Sequence, residues 1–554
     1  MKLNYAKTLK VGTAFAIVMV FWTAYDYVVP LLLENTFGLS NSMRGLVMGL
    51  DNLLSLFLLP LFGKLSDKTK SKYGKRTPFI VIGTLLSVVL MVFVPISANK
   101  QLNQAMSLRQ DITNTTREGY SYTDDKGHTY NNAEEIYTML YNKGDENSDF
   151  SDKSYLKLNN INTLEEYLEI ALNGKDADGK PTEEYSKFVN TGINNYASSQ
   201  VQEKITKENP QTLVIYMVIL FFVLVAMATF RSPAVALMPD VTPKPLRSQA
   251  NAMINLAGGA GGAIAFIIYT VVLMLNPTAY VLVFGLVALA MVLLLAAFLI
   301  LVNEKKLYNE CQEICAEYGI SNDEEEPIVT DDTSLLSGTD EEIAKVKRSR
   351  LVSFLLILAS IFMWFMGYNA ITSNLSIYLT KTLNLSAGLG GIITGVSMGI
   401  SALAFIPVGM LAVKIGRRKS ILIGFALAVV SFVLIYFFAA NWSPAVMYVF
   451  TALYLISGFG LIIANVNTFP MVVELSSTGN VGKYTGLYYT ATMSAQAITP
   501  FIAGLIMDKF SSKSLFIYSA ICVVLAIALM MFVRHGDSKA PPPKSKLELL
   551  GADD

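Results

Sequence analysis

About twelve long apolar stretches, each able to cross a bilayer as a helix, constrain this chain most strongly. Hydrophobic residues make up 53% of its 554 residues and charged residues only 16%, a balance that excludes an ordinary soluble multidomain protein. Because a backbone amide left unpaired in lipid is costly, helices are the expected spanning form. The sequence therefore predicts an all-α membrane protein with twelve transmembrane helices. The spans are predicted near 11–33, 43–63, 78–97, 211–231, 250–275, 279–302, 351–379, 387–413, 419–439, 444–466, 483–507 and 514–533.

Lysine and arginine are concentrated in alternate short connections. Six basic residues lie between Lys64 and Arg76 after span 2, and four lie between Lys414 and Lys419 after span 8. The short connections 276–278 and 440–443 carry no charge. Since basic loops stay on the cytoplasmic side, this pattern predicts a multi-pass protein of the cell (plasma) membrane with both termini in the cytoplasm.

Two polar segments interrupt the spans. Residues 98–209 follow span 3 and hold 19 acidic against 12 basic residues, so we expect an extracytoplasmic insert that includes a helix near 163–172. Residues 304–349 are expected to form a cytoplasmic linker that starts as a helix. The predicted domains are a first bundle (1–97 and 210–303), the insert (98–209), the linker (304–349), a second bundle (350–534) and a cytoplasmic tail (535–554).

The chain contains an internal repeat. Span 2 ends in GKLSDK and span 8 ends in GMLAVK, and the first glycines of these motifs, Gly63 and Gly409, are 346 positions apart. A second pair, Asp240 and Glu474, ends spans 4 and 10 at a separation of 234, and the shortfall of 112 is about the length of the insert. The sequence therefore predicts two six-helix repeats related by pseudo-symmetry.

This pattern resembles the major facilitator superfamily over the whole chain apart from the insert. More narrowly, residues 66–80, SDKTKSKYGKRTPFI, are similar to the S-D-R-x-x-S-[RK]-[FY]-G-R-R-x-P-[FI]-I turn of sucrose and disaccharide:proton symporters. The glycoside-pentoside-hexuronide:cation symporters share a looser form. The segments 231–243, RSPAVALMPDVTP, and 364–370, WFMGYNA, are also similar to bacterial members. The resemblance implies a twelve-helix secondary transporter for a sugar.

The basic turns are expected to take part in gating. Asp67, at the end of span 2, can accept hydrogen bonds from a neighbouring helix start or pair with an arginine of the turn, and so act as a latch between conformations. Val413 occupies the equivalent place in the second repeat, so the latch would be one-sided. Ordinary interfacial solvation is the alternative. The candidate gating residues are Gly63, Asp67, Arg76, Asp240, Arg247, Gly409, Arg417 and Glu474.

Two carboxylates inside the spans are candidates for cation coupling. Asp26 and Asp51 lie about 12 Å inside the outer ends of spans 1 and 2, at similar depth, so they could share a site. Ionisable groups inside a membrane are costly and are functional by default, and a partly desolvated carboxylate pair suits proton binding. Sodium-coupled carriers of the melibiose type have D-x-x-x-D-P in span 2, where this chain has Ser55 and Leu59 before Pro60. We therefore expect proton coupling, with sodium coupling as the alternative.

A sugar site needs amide groups and aromatic faces near the bilayer midplane, between the two halves. Trp22 and Tyr368 stand at the repeat offset of 346, so they occupy equivalent places. Interfacial anchoring and helix packing are the alternative roles for such side chains. The candidate substrate-binding residues are Trp22, Tyr25, Asn251, Asn255, Trp364, Tyr368, Asn369, Asn374, Tyr488, Tyr489 and Gln496.

These observations predict a sugar:proton symporter that works by alternating access, embedded in the lipid bilayer as a monomer. The alternatives are a sodium-coupled sugar symporter, an exporter of amphipathic compounds on the same fold, and a sugar sensor that does not transport. The sequence contains only two histidines, His128 and His535, both in polar segments, and suggests neither an enzyme, a metal site nor a cofactor. Nucleic acid is not an expected partner.

Overall fold

The computed structural model describes most of the two bundles and part of the insert. The described residues are 3–117, 122–123, 129–130, 164–174, 182, 184–243, 246–318, 340–383, 385–397, 415–438, 446–475 and 481–535. Helices dominate these residues, which agrees with the predicted fold class.

The first bundle begins with a short helix that leads into the first span. The elements are α1 (Tyr5–Val11), α2 (Thr13–Phe37), α3 (Asn41–Lys68) and α4 (Thr77–Arg117). After the insert come α7 (Pro210–Asp240), α8 (Arg247–Leu275) and α9 (Tyr280–Leu301), and then the helix α10 (Glu304–Glu317) of the predicted linker. The whole of α9 is uncharged. Two residues separate its end from α10, at whose start the Asn303 side chain accepts a hydrogen bond from the Lys306 amide.

The insert is partly helical, as predicted. It includes the strand pair β1 (Tyr122–Thr123) and β2 (Thr129–Tyr130), the helix α5 (Leu164–Asn173) and the helix α6 (Thr191–Val201). Two π-helical segments, Tyr185–Asn190 and Gln202–Thr206, flank α6. The helix α4 runs twenty residues beyond the predicted end of span 3 at residue 97, so the insert begins as a direct extension of that span.

The second bundle repeats the pattern of the first. It contains α11 (Asp340–Ile377) with a π-helical end at Tyr378–Thr382, then α12 (Ala387–Ser397), α13 (Arg417–Phe438), α14 (Val446–Glu474), α15 (Val481–Lys509) and α16 (Ser514–Met531). Because α11 begins at Asp340, the last ten residues of the predicted linker belong to the same helix as span 7, whose membrane-crossing part begins at Arg348. The predicted continuation of span 8 to residue 413 lies outside the described residues.

Eleven helices of the described part of the chain are long and apolar enough to cross a membrane, and α12 is a shorter apolar helix at the place of predicted span 8. Large apolar side chains on their outer faces are exposed, among them Phe57, Leu293 and Phe437. Exposed apolar surface on this scale is stable only against lipid. The protein is therefore a multi-pass membrane protein.

Each half has its own hydrophobic core. Phe21, Tyr25 and Phe230 lie in the core of the first half, and Trp364, Phe425 and Phe516 lie in that of the second. The two ends of the bundle differ in composition. We call the end that carries the turn 69–76 the basic end, and the end that carries residues 38–40, the insert and residues 510–513 the insert end.

Candidate functional site

A cavity of about 300 Å³ lies between the two halves, near the middle of the spans. Helix α2 contributes one wall from Met19 to Tyr27, and α8 adds Tyr269. The opposite wall comes from α11, α12, α13 and α14 of the second half. The cavity thus lies where a carrier of this symmetry would bind its substrate. Its polar and aromatic lining residues are Trp22, Thr23, Asp26, Tyr27, Tyr269, Trp364, Tyr368, Thr372, Ser376, Thr394, Ser397 and Tyr454.

Three charged groups lie close together in the first half, and one of them, Asp26, lines the cavity. The side chain of Asp26 is exposed into the cavity, whereas Asp51 is buried on α3. Arg231 on α7 is close enough to interact electrostatically with both carboxylates, and its guanidinium lies 5.0 Å from the centre of the Trp22 ring. The side-chain amide of Asn52 also donates a hydrogen bond of 2.9 Å to Asp51. The group therefore has two acids and one base in a largely apolar setting.

Aromatic rings cover much of the cavity wall. Trp364 stacks near Tyr368, with ring centres 6.2 Å apart, and Tyr27 stacks on Tyr269 at 4.5 Å. The indole nitrogens of Trp22 and Trp364 are buried and have no hydrogen-bond partner in the described part of the chain. Buried donors are normally paired, and these two unpaired nitrogens belong to residues that line the cavity.

Four of the predicted substrate and coupling residues line the cavity: Trp22, Asp26, Trp364 and Tyr368. Other predicted residues have local roles. Asn369 and Asn374 donate hydrogen bonds to carbonyls one turn earlier in α11, at Phe365 and Ala370. Such bonds occupy amide groups that were expected to face a sugar. Tyr25 stacks on Phe21, Tyr488 and Tyr489 pack on Phe469, Gln496 is half-buried on α15, and Asn255 has a buried amide nitrogen with no partner among the described residues. The side chain of Asn251 lies outside the described residues.

Arg231 is the functional candidate that sequence reasoning missed. The predicted span 4 ended at residue 231, which placed this arginine at the membrane boundary. The helix α7 instead continues to Asp240, so Arg231 lies about 13 Å from its end, at 1.5 Å per residue. A rule that counts helical residues up to the next turn signal, here the segment after Pro239, would have placed it inside the membrane. Tyr27, Tyr269 and Tyr454 were also missed, since single tyrosines in apolar helices carry no spacing signal.

A buried ionic cluster joins the halves at the insert end. Glu34 of α2 pairs with Arg44 of α3, and its carboxylate lies 3.8 Å from both Arg109 and Lys381. Lys381 belongs to the second half, so this contact crosses between the halves. The insert takes part through Ser198, which donates a hydrogen bond to Glu34 and accepts one of 3.0 Å from Arg109. We call these five residues the Glu34 cluster.

Two further polar contacts close the same end. Asp508 of α15 accepts hydrogen bonds of 2.8 Å from the backbone amides of Asn41 and Ser42, which begin α3. Tyr27 donates a hydrogen bond of 2.5 Å to the Ala387 carbonyl of α12. A carboxylate on free helix-starting amides is a favourable electrostatic contact. Together with the Glu34 cluster, these contacts hold the insert end closed.

Glycines let α3 and α15 cross at very short range near this end. A methyl group added to Gly45 would lie 1.9 Å from the Pro500 carbonyl oxygen, and one added to Gly49 would lie 2.4 Å from that of Ala497. These are backbone atoms, which cannot rotate away. The closed insert end therefore requires glycine at both positions.

Three of the predicted gating residues of the first half, Asp67, Arg76 and Asp240, form a cluster at the basic end. Arg76 pairs with Asp67 at the end of α3 and with Asp240 at the end of α7, where the distance to the carboxylate is 2.7 Å. Burial opposes the charged form of Arg76, but the hydrogen bonds and charges of Asp240 and Asp67 outweigh it and raise the pKa of Arg76 above its ordinary value. Lys75 lies 3.2 Å from Asp240. Asp67 thus pairs with an arginine of its turn, one of the two arrangements expected for it.

Glu304 completes the cluster at the basic end. Its carboxylate accepts hydrogen bonds of 2.7 to 3.1 Å from the amides of residues 75–77, so the linker helix α10 caps the start of α4. Gly74 approaches this carboxylate with φ of +114°, and a side chain there would lie about 2.2 Å from it. Gly63 lies near Ser232. Arg417 begins α13, whereas Gly409 and the side chains of Arg247 and Glu474 lie outside the described residues. The gating roles stay predictions.

Glu34→Gln is expected to destabilise the folded protein by about 3–5 kcal/mol, because it leaves two buried arginines and the partly buried Lys381 without their carboxylate. A thermal unfolding scan of the purified protein in detergent measures this change. Glu203→Gln is the matched control, since Glu203 pairs with Lys207 on an exposed helix face, where such a pair contributes about 1 kcal/mol or less. Equal unfolding temperatures for the two variants would show that the Glu34 cluster contributes no more to stability than an exposed ion pair.

Comparisons with known proteins identify the family. The family model described as Major Facilitator Superfamily matches residues 209–472 and 356–552, which together cover more than half of the chain, and the model described as MFS/sugar transport protein matches 11–108. The fold is similar to a D-xylose-proton symporter (14% identity, TM-score 0.53, 96% of this chain and 99% of the other). It is equally similar to the inward open xylose transporter XylE from E. coli (14% identity, TM-score 0.53, 99% of both chains).

A local match relates the chain to curated proteins. Solute carrier family 45 member 3 of Mus musculus, like that of Homo sapiens, is 41% identical over 68 residues. This match covers only 12% of this chain and 12% of each relative. On the family-model matches and the shared fold, the chain belongs to the Major Facilitator Superfamily of membrane transporters.

Proposed function

We propose that this protein takes up a sugar, a disaccharide or other glycoside, together with a proton. The observation that carries the proposal is the charged group formed by Asp26, Asp51 and Arg231, in which Asp26 lines the central cavity. A substrate site and an ionisable group that share one cavity are what a coupled carrier requires.

The charge balance of this group suggests how a proton is bound. Arg231 can compensate one of the two carboxylates, which leaves one negative charge without a partner in an apolar surrounding. Asp26 is exposed into the cavity and can receive a proton from it, whereas Asp51 is buried and can keep its interaction with Arg231. When Asp26 is protonated, the group of three residues has no net charge. Burying a group without net charge costs less free energy, so the carrier can more easily close the cavity to both sides. We therefore assign the proton to Asp26 and the fixed counter-ion pair to Asp51 and Arg231.

The aromatic walls suggest how a sugar is recognised. The flat faces of Trp22, Trp364 and Tyr368 can cover the C–H surface of a pyranose ring, and the two indole nitrogens can donate hydrogen bonds to its hydroxyl oxygens. The cavity volume of about 300 Å³ lies at the lower end of the range for small-molecule sites, about 300–1,000 Å³. The Trp22 ring also lies against the Arg231 guanidinium, so the proposed sugar contact is next to the charged group.

Sequence and fold comparisons support this choice of substrate class. The turn at 66–80 is similar to that of disaccharide:proton symporters, and the sugar-transport family model matches the segment 11–108, which contains both aspartates. One of the similar folds is a D-xylose-proton symporter. We infer a proton rather than sodium because Ser55 and Leu59 replace the two carboxylates of the sodium-coupled pattern.

We further propose that the basic end faces the cytoplasm of the cell, with both termini there, and that the carrier works as a monomer. In this orientation the structure is closed toward the outside by the Glu34 cluster and by the glycine crossing of α3 and α15. Outward opening would then require Lys381 to leave Glu34 and Asp508 to leave the start of α3. The pairing of Arg76 with Asp67 and Asp240 would hold the helices of the first half together at the basic end during this opening.

An uptake assay tests the proposal. The protein is expressed in a host that lacks sugar transport, and uptake of a panel of labelled disaccharides and glycosides is measured with and without a protonophore. We expect saturable uptake of one sugar that the protonophore abolishes and that persists when sodium is replaced by choline. Sodium-dependent uptake would reject the proton assignment, and the absence of any uptake would reject the sugar symporter.

An exporter of amphipathic compounds is the second candidate. Apolar side chains, including Met19, Ile371, Leu375 and Phe432, share the cavity wall with the polar groups. Such a wall suits an amphipathic molecule as well as a sugar. The same host then shows no sugar uptake but increased tolerance to toxic amphipathic cations, whereas a sensor that does not transport shows neither.

A further inference from the structure

A second cavity, of about 770 Å³, lies at the surface of the basic end. It is formed by α1, the turn before α4, the end of α9 and the start of α10. Among the described residues, four lysines line it, Lys7, Lys10, Lys72 and Lys306, together with one acid, Glu310. We call this cavity the lysine groove. It is separate from the central cavity, and the transport mechanism above does not use it.

The lysine groove carries a positive charge. Lys7 is paired with Glu310, and the hydrogen bond from Lys7 lowers the pKa of Glu310, so the acid stays ionised and compensates one lysine. The other three lysines are exposed. Glu304 lies beside the groove, but its carboxylate is buried and accepts hydrogen bonds from the turn before α4. Even with Glu304 included, the positive charges outnumber the negative ones.

One wall of the lysine groove is apolar and faces the membrane. The end of α9 contributes Leu299, Ile300 and Leu301, and Ile300 is 83% exposed. The uncharged helix α9 ends here, and the first charged residues of α10 follow directly. The groove therefore lies at the level where the hydrocarbon layer meets the lipid headgroups.

We propose that the lysine groove binds the headgroup of an anionic phospholipid. The phosphate would lie among Lys10, Lys72 and Lys306, and the first carbons of the acyl chains would lie along Leu299 and Ile300. A basic pocket beside a transmembrane helix is the arrangement that recognises anionic lipid. A soluble anion would not need the apolar wall, and a zwitterionic lipid would not need a net positive charge. The occupant also touches α10, whose Glu304 caps α4, so binding would stabilise the contact between the linker helix and the first bundle.

Lipid binding by the purified full-length protein tests this proposal. Native mass spectrometry in detergent measures how much phosphatidylglycerol, phosphatidylcholine with the same acyl chains, or inorganic phosphate the protein retains. We expect retention of phosphatidylglycerol, no retention of phosphatidylcholine, and no competition by millimolar phosphate. Each lysine near a phosphate contributes about fivefold in affinity, so the triple variant Lys10→Gln, Lys72→Gln, Lys306→Gln should bind phosphatidylglycerol about a hundredfold more weakly.

A matched control distinguishes binding at the lysine groove from attraction by the overall positive charge of the basic end. The triple variant Lys64→Gln, Lys68→Gln, Lys70→Gln removes the same charge from the same basic end, but none of these lysines lines the groove. It should bind phosphatidylglycerol like the unmodified protein. If the groove triple variant does not fold, Ile300→Gln removes part of the apolar wall without changing charge and should weaken lipid retention alone. Equal losses in both triple variants, equal retention of the two lipids, or displacement by phosphate would each overturn the proposal.

Discussion

Proteoliposomes that contain the Asp26→Asn variant are expected to equilibrate sugar across the membrane but not to accumulate it when a proton gradient is imposed. Asparagine keeps the size of the side chain and its place in the cavity wall, but it cannot take up a proton. With the proton site gone, the gradient has no means of driving the sugar, and exchange of sugar between the two sides should continue. The measurement compares gradient-driven accumulation with exchange of labelled against unlabelled sugar in the same vesicles.

Two further variants show whether the loss of accumulation is specific to Asp26. Asp111→Asn is the same chemical change on an exposed part of α4, and it should accumulate sugar like the unmodified protein. Arg231→Gln should behave differently from Asp26→Asn, because it leaves two carboxylates without their buried cation and costs about 3–5 kcal/mol in stability. Intact gradient-driven accumulation by Asp26→Asn would reject the assignment of the proton to this residue. Loss of exchange as well would show that Asp26 is needed for sugar binding rather than for coupling.

The variant Gly45→Ala is expected to shift the protein away from the conformation described here, toward one that is open at the insert end. The new methyl group would lie 1.9 Å from the Pro500 carbonyl oxygen, so α3 and α15 cannot keep their crossing. Overpacking of this kind costs about 1–3 kcal/mol, which changes a conformational equilibrium by roughly 5- to 150-fold. Each half keeps its own core, so the cost falls on the closed state and not on folding.

Cysteine labelling measures this shift. The substitution Ser42→Cys places a thiol in the closed contact between the halves, and the three native cysteines, Cys311, Cys315 and Cys522, are buried. We expect a maleimide that does not cross membranes to label the introduced thiol faster when Gly45 is replaced by alanine. Gly259→Ala is the matched control, since nothing lies within 4 Å of the position its methyl group would take. Equal labelling rates in the two variants would mean that the glycine crossing does not control the closure.

Much of the fold could be predicted from the sequence because the physics of the bilayer is simple. Apolar stretches of the right length must be helices, and the offset between Gly63 and Gly409 shows the repeat without any structure. The helix ends were less predictable. Span 3 continues as α4 to Arg117 because no glycine or proline interrupts residues 98–117 and the helix packs on α6 instead of on lipid.

The candidate site was predictable only in part. Asp26 stood out because an acid inside an apolar stretch is rare, and Trp22 and Tyr368 stood out by their equivalent places in the repeat. The amides of Asn369 and Asn374 were expected in the cavity, but their hydrogen bonds run to their own helix. Which side of a helix a polar group faces, and whether it bonds one turn back, depends on the neighbouring helices. The Glu34 cluster was not predicted, since its members come from α2, α3, α4, the insert and the second half.

The unbroken helix α4 has a mechanical consequence. Its 41 residues form a rod of about 60 Å at 1.5 Å per residue. At its start, α4 donates hydrogen bonds to Glu304. Toward its other end, Arg109 donates hydrogen bonds to the Glu34 carbonyl and to the Ser198 hydroxyl. Both ends of α4 are therefore tied to the first half, with Pro95 as a point inside the helix where it can bend. The described helix α6, which packs on α4, should move together with the first half. A fluorescent probe on α6 is therefore expected to report movements of the first half at a distance from the central cavity.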